Sequence, residues 1–513
     1  MPQLQGLIET ETPRPNPSTQ WTRLERFLIL GNEGGTYYVQ ALALTIENAR
    51  VVLECLRIDG LRVVRTVLEI STDRGVPGKG PVLFALALAA SPEFADAGTI
   101  SAALDALPEV ARTGTELCGF AAFVENLRGW GRGLRSAVAE WYLSKPASEL
   151  AYQMLICQQR DGWTHRDLLR VSHPKAATPA HNALFQWAVD GELGHLASPE
   201  LLAGDLRQVR AFELARKSTS KDEIVRLIED QRLTHEMIPP DWKNSVAVWE
   251  ALLPSMSYLE LVEHLGKLTA VGLLQPHSPA TALVVARLID RKRVANSRVH
   301  PLALLAARLT YQKERGPVAS IVDALDEAFY LAFDNVEPIG KRIYLALDAS
   351  SSVQGSSCSG LPPLNAAMAS AALAMVYAKR EPNCTVAAFH DQLWPVDLTR
   401  TSRLERAVEA IVRGGRATDA SLPMRDALKR GLAVDAFVIV TDRETWGGDK
   451  HPVQALERYR SSSGIAAKLV VIAMSANGYS IADPDDPLQM DVAGFDASVP
   501  DVIAAFIKGR PSA

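Results

Sequence analysis

The 513-residue chain is poor in the features that mark disulfide scaffolds, membrane proteins and common enzymes. Its five cysteines, Cys55, Cys118, Cys157, Cys358 and Cys384, are scattered and include no C-x-x-C pair. That scatter argues against both a zinc site and a disulfide framework, and implies a reducing compartment. The longest uncharged stretch, residues 349–378, is broken by Ser, Gly, Pro and Asn. Its apolar part, residues 366–378, is too short to span a bilayer, so no membrane contact is expected. The first 20 residues are polar, contain proline and carry Glu9 and Glu11, unlike a signal or transit peptide. They read as a flexible tail on a soluble, cytoplasmic protein.

An excess of positive charge is missing too. The chain has 54 Lys and Arg against 59 Asp and Glu, a net charge of −5, which excludes a generally basic nucleic-acid-binding surface. Residues 341–513 balance 19 basic with 19 acidic groups, leaving 35 against 40 before them, so any RNA site must be local. Catalytic signatures are likewise lacking. Gly75-Val-Pro-Gly-Lys79-Gly80 has neither the Ser/Thr nor the spacing of a P-loop, and there is no G-x-S-x-G elbow or H-E-x-x-H zinc helix. The chain reads as a non-enzyme.

What remains divides in two. Residues 21–337 show Leu, Ala and Val at i, i+3, i+4 spacing between short Gly/Pro/Asn/Ser breaks. Helices are expected at Gly80 to Leu88, Gly131 to Tyr142, Ser148 to Cys157 and Pro199 to Leu214, stacked as a solenoid without a strict sequence period. In residues 338–513, apolar strand-like runs such as Ala436-Phe-Val-Ile-Val440 and Leu469-Val-Val-Ile-Ala473 alternate with helical ones. Such runs belong to a parallel sheet covered on both faces, and the second part is expected to be a doubly wound α/β domain.

In such a sheet, ligands gather beyond the carboxyl ends of the strands. Asp348-Ala-Ser-Ser-Ser352 follows the first strand, Thr418-Asp419 precedes a helix, and Thr441-Asp442 ends the strand from Ala436. In this order the three segments resemble the von Willebrand factor A domain and its metal-ion-dependent adhesion site. The resemblance implies hydroxyl ligands from Ser350, Ser352 and Thr418, and carboxylates from Asp348 and Asp442 binding directly or through water. An all-oxygen set of this kind suits Mg²⁺, with one position open for a carboxylate of a protein partner. Alternatively, the serines cap the helix that begins near Pro363 and the aspartates end strands.

The helical part nevertheless holds a cationic stretch. Residues 121–175 carry eight Lys/Arg against five Asp/Glu. Arg128, Arg132 and Arg135 fall at i, i+4, i+7, as do Arg166, Arg170 and His173, so each trio is expected along one helix face. Thr164 and Asp167 have capping-box spacing, which starts the second of these helices at Thr164. Lys175 lies just beyond. A second cluster comprises Arg287, Arg291, Lys292, Arg293 and Arg298, offset by Asp290. Each stripe also fits an ordinary solvated helix face.

Several longer segments are characteristic. Arg26-Phe-Leu-Ile-Leu-Gly-Asn-Glu-Gly-Gly-Thr-Tyr-Tyr38, Gly129-Trp-Gly-Arg-Gly-Leu134, Asp161-Gly-Trp-Thr-His-Arg-Asp-Leu-Leu-Arg-Val-Ser-His173, Pro240-Asp-Trp-Lys-Asn-Ser245, Trp249-Glu-Ala-Leu-Leu-Pro254 and His300-Pro-Leu302 resemble the Ro autoantigen (TROVE-domain) ribonucleoprotein family. The chain reads as a bacterial orthologue. The resemblance implies a HEAT-like helical-repeat ring, here residues 21–337, followed by the A-type domain. It also implies non-catalytic RNA binding in RNA quality control. Small structured Y RNA would lie on an outer basic surface that includes Arg166, Arg170, His173 and Lys175, with Arg128, Arg132 and Arg135 nearby. Single-stranded ends of misfolded RNA would thread the ring, and an exoribonuclease would join through the Y RNA. The competing reading is a protein-binding adaptor whose metal-bearing A-type domain recruits carboxylate-bearing partners.

Overall fold

The computed structural model describes residues 17–32, 36–39, 43–72, 78–193, 197–398, 402–412, 418–442, 451–475 and 481–509. Up to residue 335 the described secondary structure is helical apart from one short strand. The sequence breaks act as caps: the side chains of Asp96, Thr113, Thr164, Thr178, Ser198, Ser220, Ser257 and Ser278 each accept a hydrogen bond from a backbone N–H of the first turn. Each such bond satisfies a donor that the helix itself leaves orphaned.

Three expected helices appear close to their expected limits, as Gly80–Ala89, Arg132–Leu143 and Ala147–Ile156. The fourth is divided into Pro199–Ala203 and Arg207–Lys217, because Gly204 takes a non-helical conformation (φ −103°, ψ −112°). Helix Pro17–Leu30 reaches back into the expected tail, anchored by buried Leu24, Phe27 and Leu28 on one face. Residues 1–16 lie outside the described residues. No described helix is long and apolar enough to cross a membrane.

The second part is a seven-stranded sheet. Its strands in chain order are β1 (Thr36–Tyr38), β2 (Ile343–Asp348), β3 (Cys384–Phe389), β4 (Leu393–Pro395), β5 (Ala436–Thr441), β6 (Lys468–Ala473) and β7 (Gln489–Ala493). Across the sheet the order is β1-β7-β6-β5-β2-β3-β4, parallel except for the β3–β4 pair. The chain leaves β2 towards β3 on one side and later returns to place β5 on the other. The carboxyl end of β2, at Asp348, is therefore the topological switch point.

Alternation along the strands separates two apolar layers. Ile343, Leu345, Leu347, Val438 and Val440 belong to one continuous buried cluster with the helical part. Tyr344, Ala346, Phe437 and Ile439 face the opposite side, towards Met424, Ala427, Leu456 and Tyr459. The two halves of the chain thus share a core.

They also share a sheet. Strand β1, from the start of the helical part, pairs with β7, with Thr36 opposite Asp491. Helix Pro17–Leu30 packs on Val499–Lys508, while Pro301–Lys313, near the other end of the array, packs on Leu361–Asn365 and Ala366–Arg380. Near the second joint, the Arg380 Nε donates to the Val336 carbonyl at 2.7 Å, and Glu381 accepts from the Ile339 amide at 2.6 Å. Both ends of the helical array meet the α/β domain.

Candidate metal centre and nucleic-acid surface

Strand pairing brings the carboxylates to one edge. Asp348 ends β2, and Asp442 directly follows β5, its neighbour in the sheet. The Asp348 Oδ1 accepts from the Ser350 amide at 2.8 Å and its Oδ2 from the Thr441 hydroxyl at 2.7 Å. Ser350 and Ser352 hydroxyl oxygens are 3.0 Å apart. The Asp442 Oδ2 accepts from the Ser356 hydroxyl at 2.8 Å, and its carbonyl accepts from Ser475. Four of the five expected ligand residues are thereby assembled.

Thr418 reaches the same edge by a different route. It is half-buried and precedes Asp419, whose amide donates to the His390 carbonyl at 2.7 Å, just past the end of β3. Asp419 itself is occupied, accepting from the Ser421 amide and hydroxyl at 2.9 and 2.6 Å. Residues 413–417, the Gly-containing approach to Thr418, lie outside the described residues.

The donor set fits a hard divalent cation. Asp348 and Asp442 are 2% and 1% exposed, so two carboxylates are withdrawn from water at one sheet edge. Burial pushes the Asp348 carboxyl above its usual range, and the charge of Asp442 adds to that, against hydrogen bonds that favour the ionised form. A cation between them removes the penalty of burying both charges. The outer hydroxyls of Ser356 and Ser475 were not legible as part of the site, because neither belongs to a spaced pattern.

A second arrangement of ligand atoms stands apart from this edge. His235, Glu236 and Glu260 place one imidazole nitrogen and two carboxylate oxygens within 4.8 Å of one another, which is compatible with holding a divalent ion.

The cationic surface centres on helix His165–Ser172. Thr164 and Asp167 form the expected capping box, each amide donating to the other's side chain at 3.2 Å. His165, Leu168, Leu169 and Ser172 are buried, while Arg166 and Arg170 are exposed. His165 anchors the inner face through a 2.8 Å hydrogen bond between its Nδ1 and the Tyr142 hydroxyl. His173 ends the helix in the left-handed conformation (φ 47°) and, like Lys175, is exposed. Helix Arg132–Leu143 packs directly on this one. Trp130 and Trp163 meet beside them with ring centroids 5.0 Å apart, joining two of the characteristic sequence segments.

Two expectations about arginines require correction. Arg128, Arg132 and Arg135 do not share a helix: Gly114–Leu127 ends before Arg128, which has ψ −17° at φ −148°, and a new helix starts at Arg132. The half-buried Arg128 donates to the Ala90 carbonyl, whereas Arg132 and Arg135 are exposed. Arg287 is buried, with its guanidinium donating to the carbonyls of Leu253 and Met256. Its charge ties down a turn and is withheld from a surface ligand. Arg291 and Lys292 are exposed on Arg291–Ser297, beside Arg293, which pairs with Asp290 at 3.8 Å.

Comparison with known proteins bears on the family of the whole chain. The family model described as the TROVE domain matches residues 9–197 and 225–318, and that of the Ro60 vWA domain matches residues 342–507. The chain is 38% identical over 503 residues to a Deinococcus radiodurans protein named RNA-binding protein RO60, covering 95% of this chain and 93% of that one. A Caenorhabditis elegans protein of the same name is 31% identical over 575 residues, covering 96% and 89%. The crystal structure of the Deinococcus radiodurans RO (RSR) protein aligns with a TM-score of 0.88 at 38% identity, covering 95% of this chain and 99% of that chain.

Proposed function

Since the chain belongs to the TROVE-domain Ro60 family, whose members are non-catalytic RNA-binding proteins, we propose that it is a cytoplasmic RNA-binding scaffold for small structured RNA of the Y RNA kind. The observation that carries this reading is the cationic face of His165–Ser172. In a chain of net charge −5, Arg166 and Arg170 project from one short, capped helix, His173 ends it and Lys175 lies just beyond, all four exposed. Arg132 and Arg135 extend the face on the helix packed against it. Guanidinium forks pair with phosphate oxygens.

Closure of the helical array through the α/β domain supports a ring through which single-stranded ends of misfolded RNA pass. A nuclease joined through the bound RNA would then place decay chemistry beside a protein that has none of its own. Asp348, Ser350, Ser352, Thr418 and Asp442 would hold Mg²⁺, which would offer a docking point to a partner carboxylate.

Gel-shift titration of the full-length protein with a small stem-loop RNA in Mg²⁺ tests the proposal. Tight binding is expected, with the Arg170→Ala/His173→Ala double variant at least about tenfold weaker. No binding at low salt would favour the adaptor reading, in which the metal edge recruits proteins. Loss of RNA length during incubation, abolished by Asp348→Ala, would instead make the metal catalytic.

A further inference from the structure

The trio His235, Glu236 and Glu260 lies outside both surfaces described above. His235 and Glu236 lie in the short 3-10 turn His235–Met237, and Glu260 is in the first turn of Tyr258–Ala270. Local rules explain how Glu260 is aimed. It forms a capping box with Ser257, whose amide donates to Glu260 Oε2 at 2.8 Å. That leaves Oε1 facing His235 Nδ1 at 3.4 Å, while Glu236 Oε2 approaches the same nitrogen at 3.2 Å.

An ordinary imidazolium–carboxylate pair would show a directed N–H···O bond. Here the buried Nδ1 makes no hydrogen bond, although carboxylate oxygens flank it on two sides. The nitrogen and the two carboxylate oxygens lie within 4.8 Å of one another, a cluster that one ion could join. Tetrahedral zinc, with bonds of roughly 2.0–2.2 Å to nitrogen and oxygen, holds its ligand atoms about 3.3–3.6 Å apart, close to the two nitrogen–oxygen separations of 3.2 and 3.4 Å.

The surroundings are those of a supported ligand set. Trp249 stacks on the His235 ring at 6.4 Å and 25°, and fixes its own indole by donating to the Lys243 carbonyl at 2.8 Å. His264 stands edge-on to His235 with centroids 4.3 Å apart, its Nδ1 2.8 Å from the Glu260 carbonyl oxygen. The cap bond on Glu260 is an outer-sphere contact of the kind that orients a ligating carboxylate.

We propose that His235 Nδ1, Glu236 and Glu260 form a Zn²⁺ site, separate from the oxygen-only edge at Asp348. The imidazole nitrogen selects a transition ion over Mg²⁺, which prefers an all-oxygen shell. Cysteine spacing speaks against a thiolate site and is silent about this one. The ion clips the turn after Lys221–Gln231 to helix Tyr258–Ala270, two segments that the sequence separates by more than one helix. Water completes its coordination.

The test uses chelator-stripped full-length protein carrying Asp348→Ala, which disables the oxygen site. Zn²⁺ is titrated in competition with a chromophoric chelator, and Co²⁺ is followed by visible absorption. Binding of about one Zn²⁺ per chain, resistant to excess Mg²⁺, with the strong visible bands of tetrahedral Co²⁺, is expected. His235→Gln and Glu236→Gln should each weaken it at least about tenfold. Glu236 is 39% exposed in its side chain, so its variant should keep the fold, as circular dichroism would verify, and carries the test if His235→Gln does not fold. Absence of a tight site, or unchanged affinity in folded Glu236→Gln, would overturn the proposal.

Discussion

Asp348 is a buried ionisable group and His300 a half-buried one whose Nε2 is shut off from solvent, and each sets a different condition on the protein. The Asp348 carboxyl sits at the switch point of the sheet beside Asp442, where burial penalises its charge. A divalent ion at that edge should therefore stabilise the fold by mass action. At about 100-fold excess over its Kd, Mg²⁺ should add about 2.7 kcal/mol to the wild-type protein. Asp348→Asn should be no less stable than wild type in chelator, yet gain far less from Mg²⁺; equal gains in thermal unfolding would contradict the assignment. His300 caps Pro301–Lys313, its Nδ1 accepting from the Leu302 amide at 3.2 Å. Burial pulls its pKa down to about 4, against an ordinary value of 6.5. The folded chain thus binds this proton more weakly than the unfolded chain. Stability from this group is complete above pH about 6.5 and falls as pH drops towards about 4, by up to about 3 kcal/mol. His300→Asn, which keeps a capping acceptor, should flatten that part of the denaturation profile; an unaltered profile would rule the mechanism out.

At the scale of elements, the cap of His165–Ser172 would link local structure to RNA affinity under the proposed function. Thr164→Ala removes one half of the box and should cost about 1 kcal/mol. The same substitution at Thr178, which caps Pro179–Asp190, should cost a similar amount. Only the former should weaken RNA binding, because only that helix carries Arg166 and Arg170; parallel declines in both variants would show a general stability effect. This helix was legible because its cap and its charged face are written within ten residues. Strand Ala436–Thr441 was legible for a similar reason, being a continuous apolar run. Strand β7 was not, since Gln489 and Asp491 interrupt it. Their polarity is absorbed by hydrogen bonds that no local pattern announces: Asp491 accepts from the Ala482 amide at 3.1 Å and Gln489 from the Asp483 amide at 3.0 Å. Arg128 and Arg287 were misread for the complementary reason. Helical spacing counts residues, but it does not reveal where a chain turns or which side chain a carbonyl cluster draws inward. The gathering of Asp348, Ser350, Ser352 and Asp442 at one sheet edge was legible because strand ends converge by rule, whereas the approach of Ser356 and Ser475 depends on loop paths.

For the whole molecule, the decisive feature is closure. Strand β1 joins β7 across more than 450 residues of chain, and the core of the helical part continues onto one face of the sheet. Nothing in a three-residue Thr-Tyr-Tyr segment could disclose that pairing, because its partner is selected by the shape of the completed array. Gly494, which follows β7 with φ +91°, allows the same kind of close approach: a Cβ there would lie 2.7 Å from the Ser359 carbonyl oxygen. Closure holds the joined helices Arg132–Leu143 and His165–Ser172 as part of a continuous scaffold, and on the proposed reading a small set of cations on them binds RNA despite the acidic total. The salt dependence of stem-loop RNA affinity tests this claim most directly. Log Kd plotted against log salt should be steep for the wild-type protein, and in Arg166→Ala/Arg170→Ala its slope should fall by about two, one for each phosphate that the missing guanidinium no longer neutralises. A variant with the wild-type slope would place the RNA elsewhere and contradict the account.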